Sequence, residues 1–470
     1  MIHAPSRALP ESSLRTVAWP AMPKPAGAAL LALQFQLEQS QWWPTDILWA
    51  RQLEQVGAVL KHAYHSTDFY RTRLSSAGYT PEHPLTDAIW QAIPILSRSE
   101  IQQAGDALLS KQIPASHGPA NESQTSGSTG RPLKTYITDI TQFFWHAFTL
   151  RDHLWHRRDF SAKLGIIRYW PGNSANPPSG LHFQGWGPST DMAFHTGPSS
   201  VLSIDSSITQ QAEWLLMEKP DYLLTHPTVA RALAEHFIEH KLSLPRLQEV
   251  RTLSEALPLD LRALCQQAWG VPVVDMYTTR EAGYIALQCP EHQHYHIQSE
   301  SVLVEILDDN GLPCQPGEVG RVVITTLHNF AYPLIRYEIG DYAEVGEACP
   351  CGRSLPVIKR IMGRVRNMMQ LPGGEQRWPL LNYKAYREIV PLRQLQLIQR
   401  SADEMLVRLV TERPVTKDEQ SRLAEAIRAS LGYHFALTFN YCEEIPRSKS
   451  GKFEDFICEI PAITQKRHEQ

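Results

Sequence analysis

The stretch Thr125-Ser126-Gly127-Ser128-Thr129-Gly130-Arg131-Pro132-Leu133-Lys134-Thr135 gathers small hydroxyl residues and glycines around two cations. Gly127 and Gly130 let backbone N–H groups approach a polyphosphate, the hydroxyls add donors, and Arg131 and Lys134 add positive charge. On composition alone, such a run is more often a solvated loop. Two details count against it: the run ends in Pro and Lys, and it leads into the β-prone Thr135-Tyr136-Ile137-Thr138. A Walker A loop needs G-x-x-x-x-G-K-S/T between a strand and a helix. Here Lys134 comes four residues after Gly130, Pro132 intervenes and a strand follows, so that reading fails.

A second set of residues carries metal chemistry. Cys289, His292, His294, His296 and the pair Cys349-Pro350-Cys351 bring thiol and imidazole donors into one region. A Cys-x-Cys pair with a distant Cys and His suits a closed tetrahedral Zn²⁺ site. On spacing alone, small buried apolar cysteines remain the alternative. The seven cysteines form an odd set in a large chain, which argues against a disulfide framework.

These residues need elements to hold them. At 470 residues the chain is too long for one ordinary core, so two domains of unequal size are expected. A net charge of −4 spread over many residues implies no nucleic-acid surface. The N-terminus has no apolar stretch of signal-peptide length, and Ala28–Leu33 is too short to span a bilayer. A cytoplasmic protein without a membrane partner is the default.

Periodicity predicts a helix over Ile47–Ala63 with Asp46 capping it. The middle alternates: strands at Tyr222–Thr225, Val250–Leu253 and Val271–Met276, helices at Val229–Leu242 and Leu259–Trp269. That rhythm argues for parallel βαβ units. After Glu281 it changes to hairpin-joined strands at Ser301–Leu307, Arg321–Leu327 and Leu334–Tyr337. The last hundred residues or so read as a small α+β domain: strands at Gln394–Gln399, Met405–Val410 and Ala436–Tyr441, and a helix at Asp418–Leu431. The expected fold is α/β, a large N-terminal domain with mixed, partly parallel sheets over 1–363, plus a small mobile α+β C-terminal domain over 364–470.

The glycine-rich loop resembles the phosphate loop of adenylate-forming enzymes, the superfamily of acyl-CoA synthetases, luciferases and peptide-synthetase adenylation domains. Thr125, Ser126, Gly127, Ser128, Thr129, Gly130, Pro132 and Lys134 all match it. Further motifs follow in the family order. MYTTREAG (276–283) is similar to the Tyr-Gly-x-Thr-Glu segment. The resemblance implies that Tyr277 flanks the adenine and Glu281 helps hold Mg²⁺. Thr278 stands where Gly is usual, and Arg280 where Thr is. Ser254, Glu255 and Ala256 match the other adenine-side segment. Asp341, in YPLIRYEIGDYAEV (332–345), would accept the ribose hydroxyls, and Arg364 matches the hinge arginine, which would reach the ribose or α-phosphate. The acidic pair of the hinge motif is replaced by Arg366 and Asn367. Lys452, in IPRSKSGKFED (445–455), matches the adenylation lysine.

The resemblance extends to phenylacetate–CoA ligase-like members with a Cys-x-Cys-Gly-Arg after the Gly-Asp motif. It assigns Cys289, His296, Cys349 and Cys351 to a structural Zn²⁺, with Cys314 and His292 in reserve. It implies an ATP-dependent, AMP-forming ligase for a small carboxylic acid, with coenzyme A as acceptor. A carrier-protein thiol or an amine is the alternative acceptor, and a non-catalytic nucleotide-binding relative the alternative class. Aromatics at Phe143, Phe144, Trp145, Tyr169, Trp170 and Trp186, with His146, favour an aryl or arylacetic acid. The expected assembly is a monomer or homodimer.

Overall fold

The computed structural model describes residues 10–17, 19–124, 133–172, 174–364, 367–379, 381–447 and 452–460. The chain divides into two compact units, Met1–Ile361 and Met362–Gln470.

The large unit is built on one mixed sheet of twelve strands. Its parallel part runs through Ser199–Ser203, Leu164–Arg168, Tyr222–Thr225, Glu249–Leu253 and Val273–Thr279, in that spatial order. These strands are largely buried on both faces, as parallel strands covered by helices must be. The crossover helices are Ile208–Glu218, Pro227–Glu239 and Leu261–Trp269. Pro227–Glu239 turns Val229, Ala230, Leu233, Ala234 and Phe237 inward at helical spacing, and its proline sits in the first turn, where no N–H partner is lost. Leu261–Trp269 ends at Gly270, whose φ of 72° supplies the left-handed cap.

Beyond Val273–Thr279 the sheet turns antiparallel through Gly283–Gln288 and Tyr295–Ile297. It then continues through Val357–Arg364, Tyr337–Val345, Val319–Thr326 and Val302–Leu307. Parallel and hairpin regions thus share a single sheet. The expected strand over Leu334–Tyr337 is not there; pairing begins at Tyr337. Pro333 lacks an N–H, and Arg336 is held in the left-handed region at φ 48°. Its guanidinium donates to the Ile93 carbonyl at 2.7 Å and pairs with Glu305 at 3.1 Å. Those bonds fix a conformation that a strand could not adopt. The predicted N-terminal helix forms as Thr45–Ser66, with Asp46 inside its first turn and Pro44, not Asp46, at the cap position.

The small unit is α+β. Its sheet has the order Ala436–Tyr441, Glu404–Thr411, Leu392–Gln399 and Phe456–Cys458. The helix Lys417–Leu431 starts with a Thr416/Glu419 capping box and buries Leu423, Ile427 and Leu431 in a core with Leu395, Leu397 and Val407. Among the described residues, no helix is long and apolar enough to cross a membrane.

Candidate active site and metal centre

The phosphate-loop sequence is carried by a hairpin. Asn121–Gln124 pairs antiparallel with Lys134–Ile137, and the Gln124–Lys134 pair closes the base of the loop. Thr125, Ser126, Gly127, Ser128, Thr129 and Gly130 lie outside the described residues. Lys134 Nζ is 3.1 Å from Asp106 and 3.2 Å from Glu122, and stands over the Tyr136 ring at 5.1 Å. Hydrogen bonding to Tyr136, then to Asp106 and Glu122, raises its pKa, so it is held as a cation. Arg280 reaches the same hairpin and donates to the Gln124 carbonyl at 2.7 Å.

The carboxyl ends of the parallel strands gather the next residues, the edge where open α/β sheets take ligands. Val273–Thr279 presents Tyr277 and Thr278, and the turn after it carries Arg280 and Glu281. Buried Tyr277 donates its hydroxyl to Asp341 Oδ2 at 2.8 Å, tying the strand Val273–Thr279 to Tyr337–Val345. Glu281 lies 3.9 Å from Arg98. One strand over, Ser254 takes a left-handed φ of 74°. Glu255 Oε2 accepts from Thr228 N at 3.0 Å and Thr228 Oγ1 at 2.8 Å, at the start of the helix Pro227–Glu239. That carboxylate is taken up by a helix N-terminus, where negative charge is favoured. Ala256 is exposed.

Beside this edge lies a cavity of about 330 Å³. Phe144, Trp145, Phe148 and Tyr284 give it an aromatic wall, and Arg168, Arg280 and Glu281 also line it. His328 stacks on Phe144 at 3.7 Å between centroids and 8° between planes. Its Nε2 lies 2.8 Å from the Glu300 carbonyl, and burial pulls its pKa down to about 4, so the ring is neutral near pH 7. Of the aromatics singled out in the sequence, Phe144 and Trp145 line the cavity. Trp186 packs elsewhere, against Phe160 and Tyr222. Sequence reasoning missed Arg168, Tyr284 and His328. A charged residue ending a buried strand was the available signal for Arg168, and adjacency to the motif 276–283 was the signal for Tyr284; His328 is brought in by a remote segment.

In the small unit, Lys452 is half-buried just ahead of the strand Phe456–Cys458. Asn367 accepts from the Arg364 amide at 3.3 Å and donates to the Phe456 carbonyl at 2.6 Å. It therefore ties the first residues of this unit to the strand that follows Lys452. Arg366 lies outside the described residues.

The cysteines and a histidine converge in the large unit. Ligand atoms of Cys289, His296, Cys349 and Cys351 all lie within 4.8 Å of one another. Sγ of Cys289 and Sγ of Cys349 are 3.8 Å apart, and Cys351 Sγ is 3.4 Å from His296 Nε2. A tetrahedral Zn²⁺ with Zn–S of about 2.3 Å and Zn–N of about 2.0–2.1 Å sets its donors roughly 3.5–3.8 Å apart, so the donor set fits that ion. His296 Nδ1 is 3.3 Å from the Leu355 carbonyl, the contact that orients a ligating imidazole. His294 Nε2 also reaches Cys349 Sγ at 2.9 Å, while His292 stacks on His294. Cys314 is not in the group. Arg353 Nη1 is 3.5 Å from Cys351 Sγ, and its guanidinium lies 4.8 Å from the Trp42 ring and 4.7 Å from Trp155.

Residues 383–459 match the model of the CapK C-terminal domain. The chain is 25% identical to a phenylacetate-coenzyme A ligase of Thermus thermophilus over 455 residues, covering 87% of this chain and 96% of that protein. It is 23% identical to a phenylacetate-coenzyme A ligase of Escherichia coli over 436 residues, covering 86% and 93%. Among solved structures it is similar in fold to a 2-hydroxyisobutyryl-CoA ligase in the postadenylation state, with a TM-score of 0.69 at 17% identity, covering 90% of this chain and 92% of that one.

Proposed function

We propose that this chain, which belongs to the adenylate-forming superfamily, is an AMP-forming ligase that activates a small carboxylic acid with ATP and passes the acyl group to coenzyme A. The observation that carries this reading is the meeting, at one sheet edge, of the Tyr277–Asp341 pair, Glu281 and the phosphate-loop hairpin, beside an aromatic-walled cavity.

Asp341, positioned by the Tyr277 hydroxyl at Oδ2, is the carboxylate that would accept the ribose hydroxyls. Glu281 is the acidic group for Mg²⁺, an ion that takes few protein carboxylates and prefers phosphate oxygens. When bound, that ion would spread the charge of the triphosphate. The acid's carboxylate attacks the α-phosphorus, the bond to the pyrophosphate oxygen breaks, and pyrophosphate leaves. Two anions join in this step, so negative charge builds in the transition state. Lys452 supplies the ammonium that neutralises it, and Arg364 contacts the ribose or α-phosphate. A thiol then attacks the acyl carbonyl and AMP leaves. The aromatic wall supports an aryl or arylacetic acid, which matches the named substrate of the curated relatives. Cys289, His296, Cys349 and Cys351 hold a structural zinc, on the donor spacing given above.

The test is acid-dependent pyrophosphate release from ATP over a panel of carboxylic acids, with hydroxylamine trapping the activated acyl group. The expected result is release and hydroxamate with at least one acid, and a thioester once coenzyme A is added. Release with hydroxamate but no thioester would move the acceptor to a carrier thiol or an amine. No acid-dependent release across the panel would refute the ligase reading.

A further inference from the structure

We propose that the acid carries, besides the carboxylate that is activated, a second anionic group, and that Arg168 is the residue that receives it. This rests on the ligase reading and specifies its substrate class.

The inference comes from the charges around the cavity. Three ionised side chains line it: Arg168, Arg280 and Glu281. Glu281 has Arg98 beside it at 3.9 Å, and Arg280 is committed to the base of the phosphate loop through the Gln124 carbonyl. Among the described residues no carboxylate pairs with Arg168. The residue is open to solvent, yet desolvation and then the like charge of Arg280 lower its pKa. The remaining wall brings no countercharge: Phe144, Trp145, Phe148 and Tyr284 are uncharged and His328 is neutral. The cavity therefore holds one cation more than the phosphate end accounts for.

At the backbone, Arg168 stands apart from the strand that carries Tyr277. It ends the strand Leu164–Arg168, three strands from Val273–Thr279 in the sheet. At roughly 4.8 Å per strand that is about 14 Å along the same carboxyl edge. A compact ring bearing two carboxylates, together with an extended arginine side chain, covers such a span. One carboxylate would lie toward Glu281 and the Gln124–Lys134 base of the hairpin, the ring on the aromatic wall, and the other at Arg168. A guanidinium suits this role because its planar fork of donors matches a carboxylate in bidentate fashion. A monoanionic acid would leave the Arg168 guanidinium to solvent.

The test measures pyrophosphate release by the full chain with matched acids that differ only in a distal group. The probes are 4-carboxyphenylacetate, 4-methylphenylacetate and 4-(aminomethyl)phenylacetate, with the equivalent benzoates and hexanoates. The readout is the ratio of kcat/KM for the carboxylate-bearing acid to that for its neutral match, which cancels any general loss of folded enzyme. The expected ratio is about 2–5 in the parent chain, the worth of one solvent-accessible ion pair. It falls to near 1 in Arg168→Ala, and Arg168→Glu shifts preference to the aminomethyl acid. A parent ratio at or below 1 on every active scaffold, or a ratio unchanged in both variants, would overturn the assignment and leave the ligase reading standing. Absence of release with every acid of a broad panel would overturn the ligase reading and this inference with it.

Discussion

Tyr277 Oη and Asp341 Oδ2 stand 2.8 Å apart in buried surroundings, and that contact decides how firmly the proposed ribose acceptor is held. A hydrogen bond to a charged group contributes about 1.5–3 kcal/mol. Tyr277→Phe removes it while keeping the ring. The expected outcome is a rise in KM for ATP of about tenfold or more, with a smaller change in KM for the acid, measured by steady-state pyrophosphate release. His328 makes a second prediction. Burial holds its folded pKa at about 4, below the ordinary imidazole value of about 6.5, so the unfolded chain binds the proton first. The stability held by the neutral ring is complete above pH 6.5 and is lost as pH falls toward 4. The loss is on the order of 3 kcal/mol at 1.36 kcal/mol per pH unit. In denaturant titrations between pH 7 and pH 4, His328→Phe should flatten the decline by that order. The neutrality of His328 was not legible in the sequence, because it follows from burial among segments distant in sequence, Phe144 among them.

At the scale of elements, local pattern carried most of the prediction. Tyr222–Thr225 and Ala436–Tyr441 begin and end where the sequence pattern put them, the first as a largely buried run and the second as an edge strand that buries none of its residues. Leu334–Tyr337 failed because Arg336 is pinned by Ile93 and Glu305, partners that no local window contains. The candidate metal centre divides in the same way. The Cys-x-Cys pair was readable; the cation sandwiched between Trp42 and Trp155 beside Cys351 was not, because Trp42 comes from the far N-terminal part of the chain. If the four donors hold zinc, elemental analysis of purified protein should give about one zinc per chain. Cys349→Ser should remove it and lower Tm. Arg353→Ala should keep zinc but weaken it about 10- to 100-fold in chelator competition, as loss of a supporting contact does. Zinc-free protein with an unaltered Tm would contradict the assignment.

For the whole molecule, the alternation of strand and helix, followed by hairpins and then a small α+β tail, was enough to place the chain among mixed α/β folds with a second, smaller domain. What composition did not reveal is that the parallel and hairpin regions are one continuous sheet, with Val273–Thr279 as the strand where parallel pairing gives way to antiparallel. That junction is also where Tyr277, Arg280 and Glu281 stand, so the change of topology and the candidate site coincide. Lys452, the proposed source of charge neutralisation during acid activation, belongs to the other unit. Comparing acid-dependent pyrophosphate release by the parent chain and by Lys452→Ala tests this most directly. The account predicts a rate about 10²–10³-fold lower in the variant, the usual cost of removing one group that stabilises transition-state charge, with the fold intact by circular dichroism. Equal rates in the two proteins would contradict it.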